Sequence, residues 1–233
     1  MASPLDLQEQ EQLDALKAFW KQYGNLITWL LVAALALYAG WNAWGYWQRE
    51  QAAKASSMFG ELERAAQASD AEKTGRIFGD LKDRFGRTAS AQQAGLLAAK
   101  VQHDKGQADA ARASLAWVGD NAVEDEYRSI AHLRLAGLLL DAKQYDEALK
   151  QLDAAKAPDF QALVADRRGD VLLAQGKKDD ARGAYQTAYQ GLDVKLEYRQ
   201  LVQAKLTALG AAPAASAALV AAATSSAASG AGK

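Results

Sequence analysis

The sequence predicts an all-α protein in which a single N-terminal transmembrane helix precedes an α-solenoid of stacked helical hairpins. Three observations lead to this prediction. A stretch of 27 residues between Lys21 and Arg49 carries no charge. From residue 50 to residue 210, Ala-rich helical segments alternate with short breaks that contain Gly, Asp, Lys or Pro. Runs of Val and Ile, which are typical of strands, are missing there.

Residues 1–24 are predicted to be an N-terminal segment with a short amphipathic helix, and residues 25–47 to be the transmembrane helix. A helix rises about 1.5 Å per residue, so about 20 residues cross a hydrocarbon core of about 30 Å. Aromatic residues, which prefer the headgroup layer, border the span on both sides: Trp20 and Tyr23 before it, and Trp41, Trp44, Tyr46 and Trp47 at its end. A cleaved signal peptide is disfavoured, because the start is acidic and no small-residue cleavage site follows. The length and the aromatic borders likewise disfavour a buried core helix.

Charge does not orient the span, because Lys17 and Lys21 before it balance Arg49 and Lys54 after it. The whole chain has a formal net charge of −1, and residues 49–209 balance to zero. A neutral domain lacks the basic surface that nucleic acid or anionic lipid requires. The sequence has no cysteine, which excludes disulfides, cysteine-ligated metals and thiol catalysis.

The remaining chain divides into a linker helix with a capping hairpin at residues 48–90, a repeat domain at residues 91–209 and a tail at residues 210–233. The breaks bound about nine helices, and one of them is placed at Gly119–Asn121. Residues recur at fixed offsets of 37 and then 33 along the repeat domain. The tail is Ala- and Ser-rich with one charge, and is predicted to be disordered.

The repeated positions have a physical interpretation. Small residues are expected where two antiparallel helices cross: Ala111, Ala148 and Ala181 on the second helices, and Ala99, Ala136 and Gly169 on the first helices. Bulky residues should fill the space between hairpins: Leu115, Leu152 and Tyr185. Acidic residues should lie near the start of each second helix, where exposed N–H groups favour negative charge: Asp109, Asp146 and Asp179. This pattern resembles the tetratricopeptide repeat, although the early Trp of that repeat is missing.

The sequence offers no catalytic, metal-binding or cofactor-binding residues. Its two histidines, His103 and His132, have no partner at ligand spacing. Phosphate-binding and nucleophile motifs are also missing. Carboxylate pairs fall at helix starts, where the helix dipole explains them.

A stack of hairpins presents a concave face lined by its first helices, which suits an extended or helical peptide. The repeat register predicts nine partner-binding candidates on this face: Gln93, Leu96, Lys100, Ile130, Leu133, Arg134, Leu163, Asp166 and Asp170.

The order of these elements, together with "IAHLRLAGLLLDAKQYDEALKQLD" from Ile130 and "RRGDVLLAQGKKDDARGAY" from Arg167, resembles the YfgM family, the ancillary subunit of the bacterial SecYEG translocon. The resemblance covers residues 8 to about 208. It implies a bacterial inner-membrane protein with a cytoplasmic N-terminus and a periplasmic repeat domain. It also implies association with SecYEG and with a membrane-anchored periplasmic chaperone of the PpiD type, and the transfer of newly translocated polypeptides to folding factors.

The sequence therefore predicts a non-enzymatic, membrane-anchored scaffold. The alternative is a cytoplasm-facing adaptor, or one that assembles an envelope complex, which binds peptides through its repeat groove. An enzyme that uses Asp166 or Asp170 ranks third.

Overall fold

The computed structural model describes residues 7–211, which form nine α-helices, one short 3-10 helix and no strand. The all-α prediction is confirmed for this part of the chain. Two compact units make it up, the first ending at Ala53 and the second beginning at Lys54. Most of the predicted tail, from residue 212 onward, and residues 1–6 lie outside the described residues.

The first helix, α1, runs from Leu7 to Gln67 without interruption. The sequence predicts three segments in this region: an amphipathic helix, a transmembrane span and a linker helix. No proline occurs between these bounds, and isolated glycines such as Gly24 and Gly40 are tolerated inside a helix at about 1 kcal/mol each. One helix therefore covers all three predicted segments.

In the first unit, the apolar side chains of α1 are exposed rather than packed, and Trp41 is 81% exposed. Within the described residues, α1 is the one helix long and apolar enough to cross a membrane, judged by length and composition. Two polar side chains of its uncharged stretch bond to the helix itself. Thr28 Oγ1 donates to the Gly24 carbonyl at 2.8 Å, and Asn42 Nδ2 donates to the Tyr38 carbonyl at 3.0 Å. Such internal bonds reduce the cost of placing these groups in hydrocarbon.

The second unit contains the end of α1 and eight further helices that follow one another as antiparallel pairs. Their bounds are α2 Ala71–Phe85, α3 Ala89–Asp104, α4 Ala108–Asn121, α5 Asp125–Asp141, α6 Tyr145–Ala154, α7 Gln161–Ala174, α8 Lys178–Gly191 and α9 Glu197–Ala208, with the 3-10 helix Pro158–Phe160 before α7.

The turns inside the three repeat hairpins share one conformation. Gly106, Lys143 and Gly176 each have a positive φ, of 75°, 58° and 80° respectively. In each case the next amide donates to a carbonyl five residues back, as Gln107 N does to the Gln102 carbonyl at 2.8 Å. This bond pattern closes a helix end on a left-handed residue. The offsets between these turn residues, 37 and 33, equal the offsets of the sequence repeat.

The residues predicted at the helix crossings are buried. Ala111, Ala148 and Ala181 have no exposed surface, and the bulky Leu115, Leu152 and Tyr185 are at most 3% exposed. These predictions are confirmed. Asp109, Asp146 and Asp179 lie in the first turns of α4, α6 and α8, as expected.

The predicted break at Gly119–Asn121 falls later than expected, because α4 continues to Asn121. Gly119 is a packing residue rather than a turn residue. A Cβ built on it would lie 2.7 Å from the ring of His132 on α5, so a larger residue would force these helices apart. His132 Nδ1 in turn lies 2.7 Å from Oε1 of Gln151 on α6.

Candidate partner-binding groove

A groove of about 420 Å³ opens on the face that carries the first helices of the hairpins. Its lining comes from α3 and α5, with one residue each from α4 and α7. The residues are Ala99, Lys100, His103, Leu115, Leu133, Arg134, Gly137, Leu138, Asp141 and Arg167. We call this surface the α3–α5 groove.

The floor of the α3–α5 groove is apolar. Leu133 and Leu138 of α5 are half-buried and face Leu115 and Ala99, which belong to the main hydrophobic cluster. Gly137 leaves space at the level of Arg167, since a Cβ built on it would still lie 3.9 Å from the guanidinium carbon. The floor can therefore receive an apolar side chain.

The rim is charged. Lys100 Nζ donates to Asp104 Oδ2 at 2.8 Å, and this hydrogen bond lowers the pKa of the Asp104 carboxyl. Arg134 Nη1 donates to the Leu96 carbonyl at 3.4 Å, which joins α5 to α3. Arg167 Nη1 lies 3.6 Å from Asp170 Oδ2. The three cations belong to three successive first helices, α3, α5 and α7.

Three of the nine predicted residues, Lys100, Leu133 and Arg134, line the groove. Gln93 is exposed on the same face of α3, and its Nε2 donates to the Tyr127 hydroxyl on α5 at 2.6 Å. Leu96 is buried in the main cluster, and Ile130 is half-buried against that cluster. Both support the groove from beneath and offer it little surface.

The other three predicted residues, Leu163, Asp166 and Asp170, are buried or half-buried beside side chains of α8 and α9. Leu163 packs against the cluster that joins α7, α8 and α9. Asp166 is 1% exposed, and its carboxylate accepts bonds from Lys205 Nζ at 2.8 and 2.9 Å. The expected position on an open concave face is therefore corrected for Asp166, which is buried beneath the Lys205 and Tyr198 side chains of α9.

A polar cluster fastens α9 to α7. The Lys205 ammonium reaches both Asp166 and Asp170, the latter at 2.7 Å. Tyr198 of α9 donates its hydroxyl proton to Asp166, and Tyr185 of α8 donates to Asp170. Burial, followed by the hydrogen bond to the carboxylate, raises the pKa of both tyrosine hydroxyls. The carboxylates, whose partners come from three helices, have a structural role here.

The sequence interpretation missed Arg167, His103, Gly137, Leu138 and Asp141. For Arg167 the repeat register held the necessary information, since it follows Arg134 at the offset of 33 that separates the second and third hairpins. The described residues contain no group of three His, Asp or Glu side chains that could hold a metal ion. The chemistry on offer in the groove is recognition by an apolar floor and a cationic rim.

A family model described as a tetratricopeptide repeat-like domain matches residues 17–211. Three curated proteins, each named "Ancillary SecYEG translocon subunit", are similar over most of their length. The one from Neisseria gonorrhoeae is 31% identical over 204 residues, which cover 87% of this chain and 98% of that protein. The one from Escherichia coli K12 is 28% identical, with 86% and 96% covered. The one from Haemophilus influenzae is 30% identical, with 79% and 90% covered.

Proposed function

The chain belongs to the tetratricopeptide repeat-like family of ancillary SecYEG translocon subunits, and from that membership we propose that it is a non-enzymatic, membrane-anchored companion of the Sec translocon. One observation carries the proposal: the chain aligns with 98% of the Neisseria gonorrhoeae protein of that name at 31% identity. The family model matches residues 17–211, a range that includes the apolar stretch of α1 as well as the hairpins, so the similarity is not confined to the repeats.

In this proposal, residues 25–47 anchor the chain in the bacterial inner membrane, the N-terminus is cytoplasmic and the repeat domain is periplasmic. The apolar character of α1 supports the anchor. The proposed role requires this orientation, because a polypeptide leaves the translocon on the periplasmic side. A reporter active only in the periplasm, fused after residue 209, should be active in cells. An inactive fusion, with a cytoplasmic reporter active at the same position, would favour the adaptor that faces the cytoplasm.

The mechanism that we propose is local capture followed by transfer. A binding site tethered near its target through a short link acts at an effective concentration on the order of millimolar. The α3–α5 groove would then need only weak affinity for a polypeptide that emerges from the channel. Weak binding also allows release to a periplasmic folding factor, for which a chaperone of the PpiD type is our candidate.

Site-specific photo-crosslinking in cells tests the partners. A photoreactive amino acid at Gln93 or Arg134 should capture newly exported polypeptides, while the same amino acid at the 72% exposed Lys150 on α6, away from the groove, should not. Pull-down of the same cells should recover SecYEG subunits and the PpiD-type chaperone. Equal capture from Lys150 would contradict the groove, and loss of SecYEG from the pull-down would contradict the translocon association.

A further inference from the structure

The charges of the α3–α5 groove are unbalanced, although the domain that contains it is neutral. Residues 49–209 carry equal numbers of acidic and basic side chains. Within the groove lining, Lys100, Arg134 and Arg167 face one carboxylate, that of Asp141. The lining itself therefore carries an excess of cations, and the carboxylates nearest to them, Asp104 and Asp170, lie just outside the lining.

Two of the three cations retain most of their bonding capacity. Among the described residues, the hydrogen bond recorded for Arg134 is the 3.4 Å contact with the Leu96 carbonyl, and a guanidinium has five N–H donors. Arg167 lies 3.6 Å from Asp170, but that carboxylate already has a closer cation, Lys205, at 2.7 Å. Both guanidinium groups can therefore donate paired N–H bonds to a ligand carboxylate in the bidentate geometry that arginine favours.

The third cation, Lys100, has a close ion-pair partner, but this ion pair is weak. Its ion pair with Asp104 is short, yet both side chains are more than half exposed. Exposed ion pairs of adjacent helical turns contribute little free energy. An incoming carboxylate can therefore share or replace Asp104 at small cost.

The floor between these cations sets a second requirement. Leu133, Leu138 and Leu115 line the apolar part of an open groove of about 420 Å³, a volume within the usual range of small binding sites. An ion alone would leave this apolar surface wet. A ligand that fills the volume needs an apolar side chain with negative charge close to it on the same chain.

We infer that the α3–α5 groove selects polypeptide segments in which acidic residues flank a bulky apolar residue. The inference rests on the proposed function, because it specifies the chemistry of the polypeptide that the groove would hold. The apolar side chain occupies the floor between α3 and α5, and the flanking carboxylates pair with Arg134 and Arg167, with Lys100 as the third contact. Selection by charge would direct the groove toward acidic segments of unfolded chains rather than toward apolar segments in general.

Binding of short labelled peptides to the full chain in nanodiscs of zwitterionic lipid tests this inference. Three peptides are compared by fluorescence anisotropy: one with a central Leu flanked by Glu, one with every Glu changed to Gln, and one with Leu changed to Ser. We expect the Glu peptide to bind about tenfold more tightly than either of the others. Raising the salt from about 0.05 M to about 0.5 M should remove most of the advantage over the Gln peptide.

Variants of the full chain locate the effect. The double substitution Arg134→Gln and Arg167→Gln should abolish the preference for Glu, whereas Lys150→Gln, which removes a cation outside the groove, should preserve it. The single substitution Arg134→Glu should shift the preference toward a peptide with Lys in place of Glu. Circular dichroism must show unchanged helicity for each variant.

The outcomes separate the inference from the proposed function. Equal binding of the Glu and Gln peptides, with both abolished by Leu133→Asp, would overturn the acidic preference and leave a general polypeptide groove in place. A Glu preference that persists in the double arginine variant would overturn the assignment to this groove. Absence of peptide binding together with loss of groove crosslinks in cells would overturn both. Competition by nanodiscs that contain anionic lipid, in place of peptide binding, would assign the cations to a membrane surface and also overturn the inference.

Discussion

Gly169 and Tyr185 form a size-matched pair that distinguishes the third hairpin from the two before it. At the register of Gly169 the earlier hairpins have Ala99 and Ala136, and at the register of Tyr185 they have leucine. A Cβ built on Gly169 would lie 2.5, 2.6 and 2.9 Å from three atoms of the Tyr185 ring. The ring therefore occupies the volume that an alanine methyl would need.

We predict that Gly169→Ala lowers the free energy of unfolding of the repeat domain by about 2 kcal/mol, the overlap cost less the gain in helix propensity. Carbon atoms in contact prefer separations of about 3.5–4.0 Å, so the new methyl overlaps the ring by about 1 Å. Overpacking of this kind typically costs about 1–3 kcal/mol, and this site lies at the upper end because the ring is 1% exposed and its hydroxyl is fixed by Asp170. The gain in helix propensity from Ala, about 1 kcal/mol, does not offset this overlap.

The double variant Gly169→Ala with Tyr185→Leu should lose much less unfolding free energy than the sum of the losses of the two single variants. Tyr185→Leu alone removes the ring and the hydrogen bond to Asp170, at a cost of about 2–3 kcal/mol. Together the two changes recreate the Ala and Leu pair that the first two hairpins already pack. We expect a coupling free energy of about 2 kcal/mol in favour of the pair, within the range measured for contacting residues.

Urea denaturation of the full chain in detergent, followed by circular dichroism, measures these differences. Gly183→Ala on α8 is the control, because a Cβ there meets nothing within 4 Å, and the variant should be about 0.5–1 kcal/mol more stable than the parent. Additive effects of the Gly169 and Tyr185 substitutions, or a Gly169→Ala variant as stable as Gly183→Ala, would refute the packing argument.

Three further predictions concern the same domain. Lys143→Gly should raise the stability of the repeat domain by about 0.5–1 kcal/mol in urea titrations, because Lys143 has a left-handed φ of 58° that glycine adopts without a steric cost. A destabilised variant would contradict this prediction. Lys205→Met should lower the free energy of unfolding by about 3–5 kcal/mol, because it leaves the Asp166 carboxylate buried without its cation. Adding Asp166→Leu should recover most of this loss. A Lys205→Met variant as stable as the parent would contradict the prediction. Stability should fall as the pH rises above about 10, because the unfolded chain then releases the tyrosine protons that Tyr185 and Tyr198, with their raised pKa, retain in the folded chain. Tyr198→Phe should make this fall shallower by at most about 1.4 kcal/mol per pH unit, with Tyr185 supplying the remainder. An unchanged slope would contradict the contribution of Tyr198.

Much of the fold follows from periodicity that the sequence displays directly. The crossing alanines, the bulky residues between hairpins and the acidic helix starts recur at offsets of 37 and 33, and each has the burial or position that its chemistry requires. Gly119 shows where this reasoning is limited. A glycine can mark a turn or a close helix contact, and only the three-dimensional position of His132 shows which applies.

The candidate groove was only partly predictable for a related reason. The register identifies residues on the first helices, and it therefore found Lys100, Leu133 and Arg134. It says nothing about the helix that follows the last hairpin. Asp166 meets Lys205 across 39 residues of sequence, and this contact depends on where the packing of α9 on α8 places the Lys205 side chain. The register alone could not tell an exposed acidic pair from a buried one.

The Asp166–Lys205 pair also determines where the array of hairpins can end. At the position equivalent to Asp166, the two preceding hairpins have Leu96 and Leu133, whose aliphatic side chains suit an unmodified copy of the same unit as their neighbour. Asp166 instead needs a helix that supplies a cation, and α9 does so. An extra hairpin duplicated from the first two should therefore be accommodated within the array but rejected after α8. The exchange of one aliphatic residue for a carboxylate thus makes the last junction selective for α9 over another copy of the repeat unit.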